Sequence, residues 1–199
     1  MAIRKIAQMG EPVLRRKADA IDPSELGSPF MQTLIDDMIE TMHDADGAGL
    51  AAPQVYVSLQ LCVIEVDKNS RYPQFESIPL TVLVNPVLTP LVDIGENGML
   101  SAEDSFAMYE GCLSVPGMRA QVVRPRKVRV QALDRSGVPL DFVWESFRAV
   151  VVQHETDHLL GTLYVDRADP KTLTFLREYE RFVPPAARIR DQGKAVLGS

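Results

Sequence analysis

Apolar side chains along this chain follow two periods, one helical and one alternating, and the two mark out most of its elements. Ser28-Pro29 supplies an N-cap and a first helical residue. Phe30, Leu34, Ile35, Met38, Ile39 and Met42 then recur at helical spacing, with Asp36, Asp37 and Glu40 on the other face. This pattern predicts a helix ending near His43–Asp46, before Gly47 and Gly49. A short β-branched run within Leu59–Val66 predicts a strand, and Leu80–Val84 another. The polar stretches Asp67–Pro79 and Asp93–Tyr109 read as loops. Val128, Val130 and Ala132 alternate with polar neighbours in Lys127–Leu133, which predicts a half-buried strand. A turn at Asp134–Gly137 and a returning strand at Val138–Val143 come next. Phe147–Leu160 is a second helix, with Phe147, Val150, Val151, His154, His158 and Leu159 on one face and Gly161 as its C-terminal cap. Asp169-Pro170 opens a third, residues 170–183, with Leu173, Leu176 and Tyr179 as its apolar stripe and Pro184-Pro185 as its stop. Strands grouped apart from helices predict an α+β fold. We expect a single domain over residues 1–183, with mixed, mostly antiparallel strands around a central helix, and a loose tail at 184–199.

Length agrees with one domain, since 199 residues fall near the usual size of a domain. No stretch approaches 18 consecutive apolar residues, so no membrane-spanning helix is expected. The start carries no signal-peptide pattern, which points to the cytoplasm and to free thiols at Cys62 and Cys112. The formal charge is −6, which argues against a protein that grips nucleic acid over its whole surface. That charge is split along the chain. Residues 1–166 carry 14 basic and 23 acidic groups, whereas 167–199 carry seven basic and four acidic ones.

Candidate chemistry concentrates in the second helix. His154-Glu155-Thr156-Asp157-His158 is an HExxH sequence, whose two imidazoles at i and i+4 project from one face and can reach one metal ion. Glu155 then stands beside the open coordination position as a general base. A catalytic site of this kind needs a third protein ligand. No His comes after His158, which leaves Glu178 or Glu180 downstream and Cys112 upstream. Cys62, inside an apolar strand, reads as a buried structural thiol, and His43 as a cation near a helix C-terminus.

Two more strings bear on the choice. The chain reads GAGLAAPQ at 47–54, EGCLS at 110–114 and QHETDHLLG at 153–161. Together these resemble the peptide deformylase family, marked by GxGLAAxQ, EGCLS and QHExDHLxG in this order. The resemblance covers residues 1 to about 180. It implies a bacterial metal-dependent hydrolase that removes the formyl group from the N-terminal formylmethionine of new polypeptides and releases formate. It implies Cys112, His154 and His158 as metal ligands, Glu155 as acid/base, and Gln54 with the Leu113 N–H as donors to the oxyanion. The family's metal is Fe(II), with zinc, nickel or cobalt as substitutes, although a Cys/His site alone would suggest zinc first. Substrate contacts are expected at Gly47, Ala48, Gly49, Gly111 and Arg119, with Phe147, Val150 and Val151 lining the methionine pocket. The basic C-terminal segment could dock on the ribosome, as it is thought to do in some relatives. A metallopeptidase acting on internal peptide bonds is the competing reading, and it leaves Cys112 and Gln54 without a task. A non-catalytic ribosome-binding module is a third, and the complete set of ligands and base argues against it.

Overall fold

The computed structural model describes residues 2–67, 77–93 and 100–190. Five strands form one antiparallel sheet in the order β1 (Gly49–Ala51), β2 (Leu61–Val66), β3 (Ile78–Pro90), β6 (Lys127–Leu133) and β7 (Pro139–Glu145). A second antiparallel sheet joins β8 (Thr174–Phe175), β5 (Val115–Pro125), β4 (Ser105–Cys112) and β9 (Ile189–Arg190). Helix α1 (Pro29–Asp44) covers one end of the first sheet, and α2 (Ser146–Leu159) runs between the two sheets. The α+β class with antiparallel strands around a central helix is as expected from the sequence. Among the described residues no helix is long and apolar enough to cross a membrane.

Helix α1 begins where its cap dictates. Ser28 Oγ accepts the Met31 N–H at 3.3 Å, and Pro29 occupies the first turn. Met31, Leu34, Ile35, Met38 and Met42 are buried against β1 and β2, each side chain contributing about 1.5–3 kcal/mol of apolar burial. Two positions depart from the helical stripe. Phe30 is exposed, and Asp37 is buried because Arg4 and the Ala2 N–H bind its carboxylate at 2.7–3.1 Å.

Helix α2 is buried on both sides, with Phe147, Ala149, Val150, Val151, Val152 and Leu159 in the core between the sheets. Gly161 ends it in a left-handed conformation (φ 74°), and a Cβ there would lie 2.8 Å from the Arg15 backbone. Only glycine serves at that position.

Three boundaries differ from the expectation. The second half of the presumed loop 93–109, together with the residues after it, forms the hairpin β4–β5. Its strands are buried on both faces or interrupted by Pro116 and Gly117, so neither period reveals them. Strand β3 is longer than the apolar run 80–84 and reaches Pro90. The expected helix 170–183 is broken into a 3₁₀ turn (Pro170–Thr172), strand β8 and a shorter helix α4 (Leu176–Phe182). Leu173 leaves the apolar stripe and is exposed, because Thr174 and Phe175 pair with Arg119 and Met118 of β5. The tail is partly ordered. A helical turn α5 (Pro185–Arg188) leads into β9, whose Ile189 and Arg190 pair with Met108 and Ala107. The remainder of the tail, residues 68–76 of the loop 67–79 and residues 94–99 of the loop 93–109 lie outside the described residues.

Candidate metal centre and its cleft

Two elements bring the three candidate ligands together. Helix α2 supplies His154 and His158, one turn apart, with ring centroids 5.1 Å from each other. Cys112 stands at the end of β4, where a two-residue turn pairs it with Val115. One donor atom from each of Cys112, His154 and His158 lies within 4.8 Å of the others, and this is the one such group among the described residues. Cys112 Sγ is 3.3 Å from His158 Nε2. Glu178 and Glu180, the downstream alternatives for the third ligand, are not part of the cluster.

The donors are held from behind. Glu110 Oε2 meets His154 Nδ1 at 2.8 Å, which leaves the other ring nitrogen of His154 for a metal. Arg124 clamps Glu110 at 2.6 and 2.9 Å and reaches Asp157 at 2.8 Å. Arg167 of α3 (Tyr164–Arg167) closes the far end with two 2.7 Å bonds to Asp157. Arg124, Glu110 and Asp157 are buried, so an ionic chain runs from the surface at Arg167 inward to His154. Sequence reading missed Glu110, Arg124 and Asp157 as functional groups. No local pattern marked them; in the fold Ala120, Val122 and Arg124 occupy alternate positions of β5 and therefore one face, and all three are buried.

Electrostatics derive from this crowding. Burial alone would raise the Cys112 thiol, but His158 and His154 beside it outweigh burial and hold it well below the ordinary range. Burial likewise opposes ionisation of Glu110, yet Arg124 and His154 bring its carboxyl down to about 2. Glu155 is different. Burial dominates and pushes it up to about 7, and its Oε2 has no protein partner. A thiol favoured as thiolate and two imidazoles within 4.8 Å of one another, with the buried Glu155 carboxyl in the same cleft, fit a divalent metal with a nearby base.

A cleft of about 260 Å³ opens over the cluster. Its walls include every residue expected to touch substrate: Gly47, Ala48, Gly49, Gly111, Arg119, Phe147, Val150 and Val151, with Gln54, Leu113 and Glu155. Close approach explains two glycines. A Cβ on Gly49 would sit 2.4 Å from Glu155 Oε1, and one on Gly111 would sit 2.0 Å from the Arg119 guanidinium. Gln54, in a 3₁₀ turn after β1, is fixed at both ends. Its Oε1 accepts the Ala51 N–H at 2.8 Å, while its Nε2 donates to Ser114 Oγ at 3.1 Å and lies 3.5 Å from Cys112 Sγ. Met108, Pro116, Gly117 and Leu176 also line the cleft; sequence reading placed none of them in the site, and put Leu176 in the apolar stripe of a third helix. Cys62 is a buried free thiol, and His43 pairs with Glu65 at 2.5 Å on the surface.

The chain matches the polypeptide deformylase family model over residues 3–173. It is 43% identical over 192 residues to a peptide deformylase of Leptospira biflexa, covering 96% of this chain and 100% of that one. Peptide deformylase 2 of Pseudomonas syringae pv. tomato is 44% identical over 165 residues, covering 83% and 87%. Among solved structures, a Met-Ala-Ser-bound class I type b peptide deformylase from Acinetobacter baumannii aligns with a TM-score of 0.74 at 36% identity. That alignment covers 83% of this chain and 98% of that one. A peptide deformylase from Legionella pneumophila gives 0.68 at 40% identity, covering 86% and 89%.

Proposed function

The chain belongs to the polypeptide deformylase family, and from that premise we propose how its own residues remove the formyl group from the N-terminus of nascent polypeptides. The supporting observation is the convergence of Cys112, His154 and His158 within 4.8 Å, beneath a cleft that also holds Glu155 and Gln54. Cys112, His154 and His158 would hold one divalent metal. When bound, it supplies Lewis acidity that brings a water near neutrality in pKa. Glu155 takes the proton of the attacking water and hands it to the departing methionyl amine. Gln54 Nε2, fixed by Ser114, and the Leu113 backbone N–H donate to the oxygen that gains negative charge at the formyl carbon. Val150, Val151 and Phe147 form the apolar wall for the methionine side chain, with Ala48 beside them in the cleft lining. Arg119 presents a cation to the peptide backbone.

Formate release from formyl-Met-Ala-Ser is expected, abolished by a chelator and restored by a divalent metal. Cleavage of blocked peptides at internal bonds without formate would identify a peptidase instead. We take the metal to be Fe(II), with zinc, nickel or cobalt as substitutes. The family resemblance supports iron, and metal analysis after anaerobic purification checks it.

We also place the protein in the bacterial cytoplasm, where its nascent substrates emerge, and propose that the basic C-terminal segment docks on the ribosome. Arg188 is committed inward, 4.7 Å over the Tyr179 ring, while Lys171, Arg177 and Arg181 are exposed. Replacing these three by Glu is expected to reduce co-sedimentation with ribosomes at low salt. Unchanged co-sedimentation would remove the proposal.

A further inference from the structure

Residues 2–19, ahead of α1, contain none of the three strings that build the site, yet their backbone hydrogen-bonds to all three. The Ala7 N–H donates to the Gln54 carbonyl at 2.7 Å, the Met9 N–H to the Ser114 carbonyl at 2.7 Å, and the Ala18 N–H to the Leu159 carbonyl at 2.8 Å. The start of the segment is anchored on α1, where the Ala2 N–H reaches Asp37 Oδ1 at 2.7 Å and the Arg4 N–H reaches Thr41 Oγ1 at 2.9 Å. Ala7 is buried in the cluster that holds Val115 and Ala120 of β5, while Gln8 and Met9 run exposed.

Two of these bonds fall where the oxyanion donors are mounted. Gln54 belongs to the turn after β1, in the first sheet, and Leu113 to the turn between β4 and β5, in the second. The donors therefore come from different sheets, and their separation depends on how the two turns are tied together. Ser114, fully buried, is the junction. Its hydroxyl accepts Gln54 Nε2 at 3.1 Å, its N–H donates to Cys112 Sγ at 3.4 Å, and its carbonyl takes the Met9 N–H. Ala7 and Met9 are two residues apart, a span of at most about 7 Å. One short stretch of chain thus holds the Gln54 and Ser114 carbonyls.

The Met9 side chain is 49% exposed, so its N–H is what the contact uses. A turn at residues 8–11 closes with the Glu11 N–H on the Gln8 carbonyl at 3.0 Å, and Gly10 at its third position has φ 113°. A turn with positive φ at the third position accepts proline at the second, which is Met9. Residue 9 can therefore lose its N–H and keep its turn.

We propose that the Met9 backbone N–H, together with that of Ala7, is a positioning group for the reaction, holding the Leu113 N–H and the Gln54 amide at the separation the oxyanion requires. This rests on the deformylase reading and adds to it residues that lie outside the cleft lining. Donors to a developing charge act over a narrow range of distance. A displacement of about 1 Å can cost about a hundredfold in rate.

Met9→Pro tests this. On formyl-Met-Ala-Ser, kcat is expected to fall about 10–100-fold with KM within about twofold, since the lost placement matters only as charge develops. Metal content per chain should match the wild type. Met9→Ala keeps the N–H and should behave as the wild type does. The decisive comparison puts Met9→Pro in a Gln54→Ala background, where one of the two donors it misplaces is already gone. There the factor lost should be at least about threefold smaller, the coupling expected of groups that act together. A variant that merely loosened the fold would lose the same factor in both backgrounds. That outcome overturns the proposal, as does an equal loss in Met9→Ala, a loss carried by KM, or a Met9→Pro variant within about twofold of the wild type. Absence of formate from the wild type would overturn the deformylase reading itself, and the proposal with it.

Discussion

Glu155→Gln is expected to keep the metal and lose turnover by about 10²–10⁴-fold, the usual scale for removing a positioned general base. Glutamine has nearly the same shape, so the approach to Gly49 and the packing of α2 survive. The ligands Cys112, His154 and His158 are untouched, as is the Glu110–Arg124 support behind them. What disappears is the group able to accept a proton from water and return it to the amine. The structure adds a reason to expect a specific loss. Burial holds the Glu155 carboxyl near 7 with one oxygen unpartnered, so the residue is costly to keep charged and contributes little to folding. Two measurements decide: metal content per chain, expected to match the wild type, and single-turnover formate release. Activity within tenfold of the wild type would show that another group carries the proton. Loss of the metal would show that Glu155 is a ligand.

Much of this site was legible because its chemistry needs particular residue types at fixed spacing. An HExxH sequence places two imidazoles on one face whatever the surrounding fold, and α2 appears where the helical period put it. The strings around Gln54 and Cys112 are short and rigid for a physical reason. A side chain at Gly49 or Gly111 would displace the carboxyl of Glu155 or the guanidinium of Arg119 from where they stand. Contributions from distant strands were harder to read. Strand β4 is apolar on both faces and so carries no alternation, while β5 is interrupted near Pro116. The third-helix expectation rested on Leu173, Leu176 and Tyr179, a spacing that a strand leading into a short helix also satisfies. That misreading concealed the place of Leu176 in the cleft lining, which depends on the pairing of β8 with β5 rather than on any local preference. The charge chain was hidden differently. Arg124 and Asp157 look like surface residues in the sequence, and only the register of β5 shows that Arg124 points inward.

Arg124→Met tests that chain, and its expected effect is large. The guanidinium is nearly fully buried, and its neighbours Glu110 and Asp157 hold it in the charged form, well above its already high ordinary pKa. Removing it strands two buried carboxylates. Asp157 keeps Arg167, whereas Glu110 keeps only His154. Breaking a buried pair from one side costs about 3–5 kcal/mol, which in a chain of this size lowers Tm by about 10 °C. Freed from Arg124, Glu110 no longer fixes the ring of His154, and metal affinity should fall about 10–100-fold. The two effects separate in a double variant. Arg124→Met combined with Glu110→Gln removes the stranded charge at Glu110, so part of the Tm loss should return. Metal affinity should not return, because a neutral amide accepts the His154 proton less strongly than a carboxylate. Thermal unfolding and competition with a chelator read the two quantities independently. If Arg124→Met matched the wild type in both, the chain from Arg167 to His154 would be packing alone. If the double variant recovered metal binding as well as stability, the carboxylate of Glu110 would not be what orients the ligand.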